Sequence, residues 1–146
     1  MYYTPAHMTA AGPLNWDGQR VSLGPWDETD PDNLPLTLLK EQDGSTALVS
    51  LPIPGNRTLH AQVWRADVGR VPLLLLDSNV PANDDTARSI TDRLYGGGGD
   101  HRLQQELLLG MGWVRALRLY CRLTGTDAPS VYHTNEGHAG FQGIER

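Results

Sequence analysis

Val71-Pro72-Leu73-Leu74-Leu75-Leu76 restricts the fold more than any other stretch of this chain. The run is apolar from end to end, without the in-and-out alternation of a half-exposed strand. It therefore marks a strand covered on both faces, and covering it takes further layers of structure. Asp77-Ser78-Asn79 closes the run. Asp77 and Asn79 are the reachable groups of a possible site edge there, but the three residues also make a plain turn, and the turn is the preferred reading.

The segments before the run read as an antiparallel meander. Leu36 to Lys40 is an expected strand, Gln42-Asp43-Gly44-Ser45 gives an Asp-Gly turn, and Thr46 to Leu51 returns to pair with the first strand. Pro54-Gly55-Asn56-Arg57 turns again. Thr58 to Ala66 then alternates, with Leu59, Ala61, Val63 and Arg65 on one face and His60, Gln62 and Trp64 on the other. Asp67 to Arg70 forms the last turn. Residues 1–33 show scattered Pro, Gly, Asp and Asn with no sustained period and are expected to be a poorly structured leader, with one domain over 34–146.

Helices follow the run. Asn83-Asp84-Asp85 is a plausible helix start, with Thr86 to Tyr95 behind it and Ile90 and Leu94 on one side. Gly96 to Gly99 breaks that helix and permits close approach of a ligand, but no Gly-Lys-Ser/Thr follows to make a phosphate loop. His101 to Leu123 carries Leu103, Leu107, Met111, Val114, Leu117 and Cys121 on one stripe. Gly110 and Gly112 cost about 1 kcal/mol each inside a helix, so a neighbouring element is expected to pack closely there. Thr124-Gly125 ends the helix, Pro129 introduces a strand over Ser130 to His133, and strand, helix and strand predict a right-handed α/β unit.

That last strand runs into Val131-Tyr132-His133-Thr134-Asn135-Glu136-Gly137-His138-Ala139-Gly140-Phe141. Asn135 can cap a helix starting at Glu136, where the helix dipole favours a negative charge. Ligands gather at such strand-to-helix corners in open α/β sheets, which makes Glu136 and His138 candidate catalytic groups. Two plainer readings compete. Asn135 and Glu136 can simply cap a helix, with His138 a core or surface histidine. Alternatively His133, Glu136 and His138 bind a metal, but H-x-x-E-x-H fits neither zincin spacing, and no metal is expected.

Charge and cysteine content narrow the classes. A net charge of −5 and a pI near 5.4 leave no footprint for nucleic acid and no polybasic membrane patch. One cysteine, Cys121, excludes an internal disulfide, and the chain has neither a signal-peptide start nor a run of ~20 apolar residues, so a cytoplasmic setting is expected. The last residues, Ile144-Glu145-Arg146, bring no helix-ending Gly or Pro, and the chain is expected to be a piece of a longer protein or a truncated reading frame.

Four blocks in order resemble one family: residues 71–79, Ile-Thr-Asp-Arg-Leu-Tyr-Gly-Gly at 90–97, His-Arg-Leu-Gln-Gln-Glu-Leu-Leu-Leu-Gly at 101–110, and residues 131–141. Together, over Leu34 to Arg146, they are similar to the bacterial form of the α-glucan (glycogen, starch or maltodextrin) phosphorylases. The resemblance implies the N-terminal part of a doubly wound, glycosyltransferase-B-like sheet. It implies phosphorolysis of α-1,4-glucan to glucose 1-phosphate, with the glucan, inorganic phosphate and the remainder of a phosphorylase chain as partners. It places Asn135, Glu136 and His138 beside the transferred glucosyl unit, makes Tyr95 to Asp100 a flexible gate that brings Gly97, Gly98, Gly99 and Asp100 to the substrate, and sets Arg102 and Gln105 behind it.

In that family pyridoxal phosphate supplies acid–base chemistry through its phosphate and is held as a Schiff base by a lysine of a C-terminal domain. This chain has one lysine, Lys40, in the meander, so no bound cofactor is expected. Nor do residues 1–33 reproduce the family's glycine-rich loop facing the cofactor phosphate. Gly98 and Gly99 replace residues that are polar or acidic in relatives, and Trp113 replaces a glycine. The expectation is a phosphorylase fragment that is inactive alone. A non-catalytic glucan-binding or regulatory remnant is the alternative. An unrelated nucleotide-binding domain is disfavoured, because no G-x-G-x-x-G follows a strand.

Overall fold

The computed structural model describes residues 35–91, 98–134 and 139–146; the expected leader and Leu94 lie outside them. The architecture is mixed α/β, an antiparallel sheet with helices packed on it. The strands are β1 (Leu36–Leu38), β2 (Leu48–Ile53), β3 (Arg57–Val68) and β4 (Val71–Asp77). β3 is the spine. β4 pairs along one edge from Gln62↔Asp77 to Val68↔Val71, while β1 and β2 share the other, with Leu36↔Ala66 and Leu48↔Gln62 setting their registers.

β1 and β2 therefore do not form the expected hairpin with each other; they run end to end along β3. The turn expected at Gln42–Ser45 is present as an excursion closed by a single bridge, Lys40↔Thr46. The Asp43 carboxylate accepts from the Ser45 amide at 2.9 Å and its hydroxyl at 2.6 Å, and Gly44 takes φ 86°. The reason is burial. Leu39 donates to the Val63 carbonyl and Ala47 to the Leu39 carbonyl, which puts both side chains on the face of Leu59, Ala61 and Val63.

The alternation read for β3 holds. Leu59, Ala61 and Val63 are fully buried on the helix side, and Trp64 is buried on the other. The continuous run in β4 is covered on both faces where it matters: Leu74 and Leu76 join the helix-side core, while Leu75 is fully buried on the side of Trp64. Asp77 has the preferred structural role, accepting from Gln62 Nε2 (2.8 Å), Trp64 Nε1 (3.2 Å) and the Asn79 amide (2.9 Å).

The helices are α1 (Asp85–Arg88), α2 (Gly99–Leu107), α3 (Trp113–Thr124) and α4 (Gln142–Glu145). Asp84 caps α1 by accepting from the Ala87 amide at 2.8 Å. α1 is shorter than expected and tightens into a 3₁₀ turn, Ser89–Thr91. The Ser89 hydroxyl there donates to the Thr86 carbonyl, and the buried Thr91 hydroxyl is shared with Ser78. α2 and α3 are one helical run joined by a π segment, Leu108–Gly112, and Gly125 in the left-handed conformation ends it where expected.

The face that lies on β2, β3 and β4, with Leu108, Ala116 and Leu119, is rotated from the expected stripe: Val114 is buried, but Leu103 is 37% exposed and Met111, Leu117 and Cys121 are only half-buried. Burying each leucine contributes roughly 2 kcal/mol. The exposed pair from Arg122 to Glu41 is screened by solvent and adds little, so packing rather than charge seats the helix.

Two expectations after Gly125 are corrected. Ser130 to His133 forms no strand: it has no ladder partner among the described residues and Val131 is 78% exposed. Tyr132 packs edge-on to Trp113 instead, with the Arg146 guanidinium 5.0 Å from its ring centroid. The βαβ unit that needed this strand is thus absent among the described residues. Nor does a helix run unbroken from Glu136, because Ala139 to Phe141 is a turn. Gln142, Gly143 and Ile144 donate to Ala139, Gly140 and Phe141, three residues back, and glycines at 140 and 143 weaken any continuous helix.

Gly110 and Gly112 do admit close neighbours. A Cβ on Gly110 would lie 2.6 Å from Phe141 Cβ and 2.9 Å from the Gln142 amide nitrogen; one on Gly112 would lie 2.9 Å from Leu108 Cδ1. Gly143 faces open space. Gly110→Ala is therefore expected to lower stability in urea unfolding by about 1–3 kcal/mol despite its better helix propensity. Gly143→Ala is expected to be neutral or to stabilise by up to about 1 kcal/mol.

Candidate functional site

α2 begins at the glycine run. Gly98 is its N-cap, with extended backbone (φ −80°, ψ −175°) and no capping side chain. Arg102 donates its amide to the Gly98 carbonyl at 3.1 Å. Gly98, Gly99 and Asp100 are exposed, and Asp100 places a carboxylate in the first turn, where the helix dipole favours it. Arg102 is half-buried and bonds through Nε to Glu106 Oε1 at 2.9 Å, one turn on. Four of the expected substrate-binding residues, Gly98, Gly99, Asp100 and Arg102, thus share one helix end.

Both described stems of the stretch between Thr91 and Gly98 are fixed. On one side Ile90 is 1% exposed, and the Thr91 hydroxyl accepts from the Ser78 amide at 3.2 Å. On the other, the buried Gln105 amide donates to the Ile90 carbonyl at 2.9 Å and contacts His101 Nε2 at 3.1 Å. Because the Ile90 carbonyl requires a donor, the amide orientation is set and His101 accepts at Nε2. His101 was not among the candidates read from the sequence, although its spacing of four from Gln105 on a helix was the available signal.

Asn83 also had a role the sequence reading missed. Its amide donates to the His60 and Ser78 carbonyls, both at 2.7 Å, and its oxygen accepts from the His60 amide at 3.0 Å. The buried Asn83 thereby fixes the turn after β4 to β3. Among the described residues, two buried side-chain atoms have no hydrogen-bond partner, Gln104 Oε1 and Gln142 Nε2.

Gly97, Asn135, Glu136 and His138 lie outside the described residues, and so does any cap made by Asn135. The chain on both sides of 135–138 is held by one helix. Before it, Tyr132 meets Trp113, with ring centroids 6.2 Å apart and planes at 83°. After it, Phe141 meets Gly110, and Glu145 bonds Arg115 at 2.7 Å and Arg118 at 3.2 Å. Arg115 also donates to the Ser50 carbonyl of β2. Among the described residues no group of three or more His, Cys, Asp and Glu side chains could hold a metal, and no helix is long and apolar enough to cross a membrane.

The chain is 53% identical to the glycogen phosphorylase of Mycobacterium tuberculosis over all 146 residues, 16% of that protein's length. The chain belongs to the α-glucan phosphorylase family. It is 39% identical over 133 residues to the maltodextrin phosphorylase of Thermococcus litoralis, covering 91% of this chain and 15% of that one. With the glycogen phosphorylase of Aquifex aeolicus the identity is 31% over 134 residues, 88% of this chain and 18% of the relative. The chain thus spans about a sixth of the length of these phosphorylases, and the similarity includes the first 33 residues, which the four sequence blocks did not reach. No family model matches the chain, and no solved structure does.

The Arg115 hydrogen bond, together with the charges of Arg115 and Arg118, holds the Glu145 carboxyl below its ordinary value of 4.5. A carboxyl lowered on folding stabilises the fold fully above the ordinary value, and that stabilisation is lost as pH falls through the lowered one. The urea midpoint is expected to drop on acidification below 4.5, and Glu145→Gln is expected to reduce the size of that drop.

Proposed function

We propose that this chain supplies part of the sugar-binding cleft of an α-glucan phosphorylase, which cleaves α-1,4-glucan with inorganic phosphate to release glucose 1-phosphate. The carrying observation is the 53% identity to a glycogen phosphorylase along the entire chain. The shared helix, with the glycine run at its start and both sides of 135–138 held along its length, gives the proposal a physical frame.

In this proposal Asn135, Glu136 and His138 lie beside the transferred glucosyl unit, the one at the non-reducing end of the glucan. Glu136 and His138 orient hydroxyls and shape the field around an oxocarbenium-like centre, which is electrostatic positioning rather than glycosidase carboxylate chemistry. Gly97, Gly98, Gly99 and Asp100 gate the pocket, with Arg102 behind them. The antiparallel sheet is the first portion of a doubly wound, glycosyltransferase-B-like sheet completed by the remainder of a phosphorylase chain. The setting is cytoplasmic, and neither nucleic acid nor a membrane is a partner.

Pyridoxal phosphate would contribute the proton exchange with substrate phosphate in a whole phosphorylase. The residues here do not fit a site for it. Lys40 is the chain's one lysine, and it is exposed and bridged through its backbone to Thr46 at the edge excursion. No catalytic step is assigned to this chain alone.

Incubating the chain with pyridoxal phosphate, glycogen and phosphate is expected to yield no glucose 1-phosphate; release above a protein-free control would contradict the proposal of inactivity. In a whole phosphorylase carrying this segment, Glu136→Ala and His138→Ala are expected to lower kcat by about 10²-fold or more, in line with loss of an aligned electrostatic contact, while leaving the thermal midpoint in place. Near-normal turnover would reduce both residues to helix capping.

A further inference from the structure

The sheet has two apolar faces, and the described helices account for one of them. Ala87, Ile90, Leu108, Ala116 and Leu119 all pack in the core of Leu59, Ala61 and Val63. The opposite face carries an apolar stripe across three strands, with Leu36 and Leu38 on β1, Trp64 and Ala66 on β3, and Leu73 and Leu75 on β4. Trp64 stands opposite both Leu38 and Leu75, and alternation along each strand puts the six residues on one side. Trp64 is 6% exposed and Leu75 0%, although neither belongs to the helix-side core. Leu36, Leu38, Ala66 and Leu73 are half-buried, and at the hairpin tip Val68 and Val71 are 61% and 62% exposed. A bare sheet face leaves its central side chains in water. This gradient is the footprint of a layer that covers the middle of the stripe and stops short of the tip.

Elimination identifies the layer. The shielding exists within a single copy of the chain, so neither a second copy nor another protein supplies it. Residues 125–131 are exposed throughout and cover nothing. Val80, just past β4, is itself buried and outside the helix-side core, so it needs cover of its own. Two short stretches, 92–97 and 135–138, hang between anchors on the helices: Ile90 bound by Gln105, Tyr132 on Trp113, and Phe141 on Gly110. Residues 1–33 have the length, and they lead into β1, whose Leu36 and Leu38 line the stripe. They bring Leu14, Trp16, Val21, Leu23 and Trp26. Large side chains of this kind can cover a sheet face without any helical or strand period.

We infer that residues 1–33 form the second layer of the sheet, with apolar side chains packed over Trp64 and Leu75 on the face opposite the helices. The segment that reads as a poorly structured leader is then part of the domain, independently of any sugar cleft.

The test uses the 146-residue chain with the photo-reactive residue p-benzoylphenylalanine at Leu48 or at Val71, two exposed positions on that face, or at Leu103 on α2 as a control. After irradiation, peptide mapping is expected to find residues 1–33 joined to position 48 or 71 and not to 103. No adduct with 1–33 from either face position, equal labelling from 103, or a covalent dimer in place of the internal adduct would each overturn the inference. Trypsin supplies a second readout at Arg20. Leu73→Glu, which charges the stripe, is expected to speed cleavage after Arg20 about tenfold or more by releasing the layer, while Val68→Glu at the exposed tip leaves it unchanged. Cleavage of the unaltered chain as fast as in urea would overturn the inference whatever the variants do.

Discussion

The structure depends on backbone-distance packing at the π segment of its long helix. Gly110 and Gly112 leave room on two sides at once, for Phe141 and the Gln142 amide on one and for the Leu51 and Leu108 side chains on the other. A β-carbon at 110 would enter the space of another backbone, which cannot rotate away as a side-chain tip can. The chain beyond His138 can therefore lie directly on the helix, where Arg115 and Arg118 secure it through Glu145. The same helix starts at the glycine run, so one rigid element carries the stems of both stretches that bear the candidate residues.

What could be read from the sequence was local and periodic. The two-residue alternation of β3, the double-sided burial of β4, the extent of the long helix, its closure at Gly125 and the close packing at Gly110 all follow from short-range patterns. The errors arose where partners distant in sequence decide. Nothing in Leu36 to Leu51 announces that two strands will lie end to end along β3, because the choice depends on which edge buries Leu39, Ala47 and Val49 together. Ser130 to His133 has strand-like residues but no neighbouring ladder among the described residues, and Tyr132 finds Trp113 and Arg146 instead. Strand propensity reports fit to a half-buried surface, and without that surface it has little force.

The candidate site divides along the same line. Gly98, Gly99, Asp100 and Arg102 fall together at one helix end, a placement the break between glycine run and apolar stripe already set. Asn135, Glu136 and His138 were recognised from a motif, and a motif carries chemistry without geometry. The supporting contacts were less legible. Asn83 read as part of a helix start but bridges two carbonyls, while His101 and Gln105 needed Ile90, which belongs to a different element. Buried polar residues of this kind give no periodic signal, since their partners are backbone groups brought near by the fold.

The central claim is that the glycine-run end of α2 and the stretch around 135–138 face one sugar. It is tested most directly by photo-crosslinking a maltooligosaccharide that carries a reactive group at its non-reducing end, followed by peptide mapping. The account predicts that the label falls within residues 92–105 and 131–142 and is competed away by unmodified maltoheptaose. Labelling confined to the exposed strand positions of β1 and β2, or labelling that maltoheptaose does not compete, would contradict it.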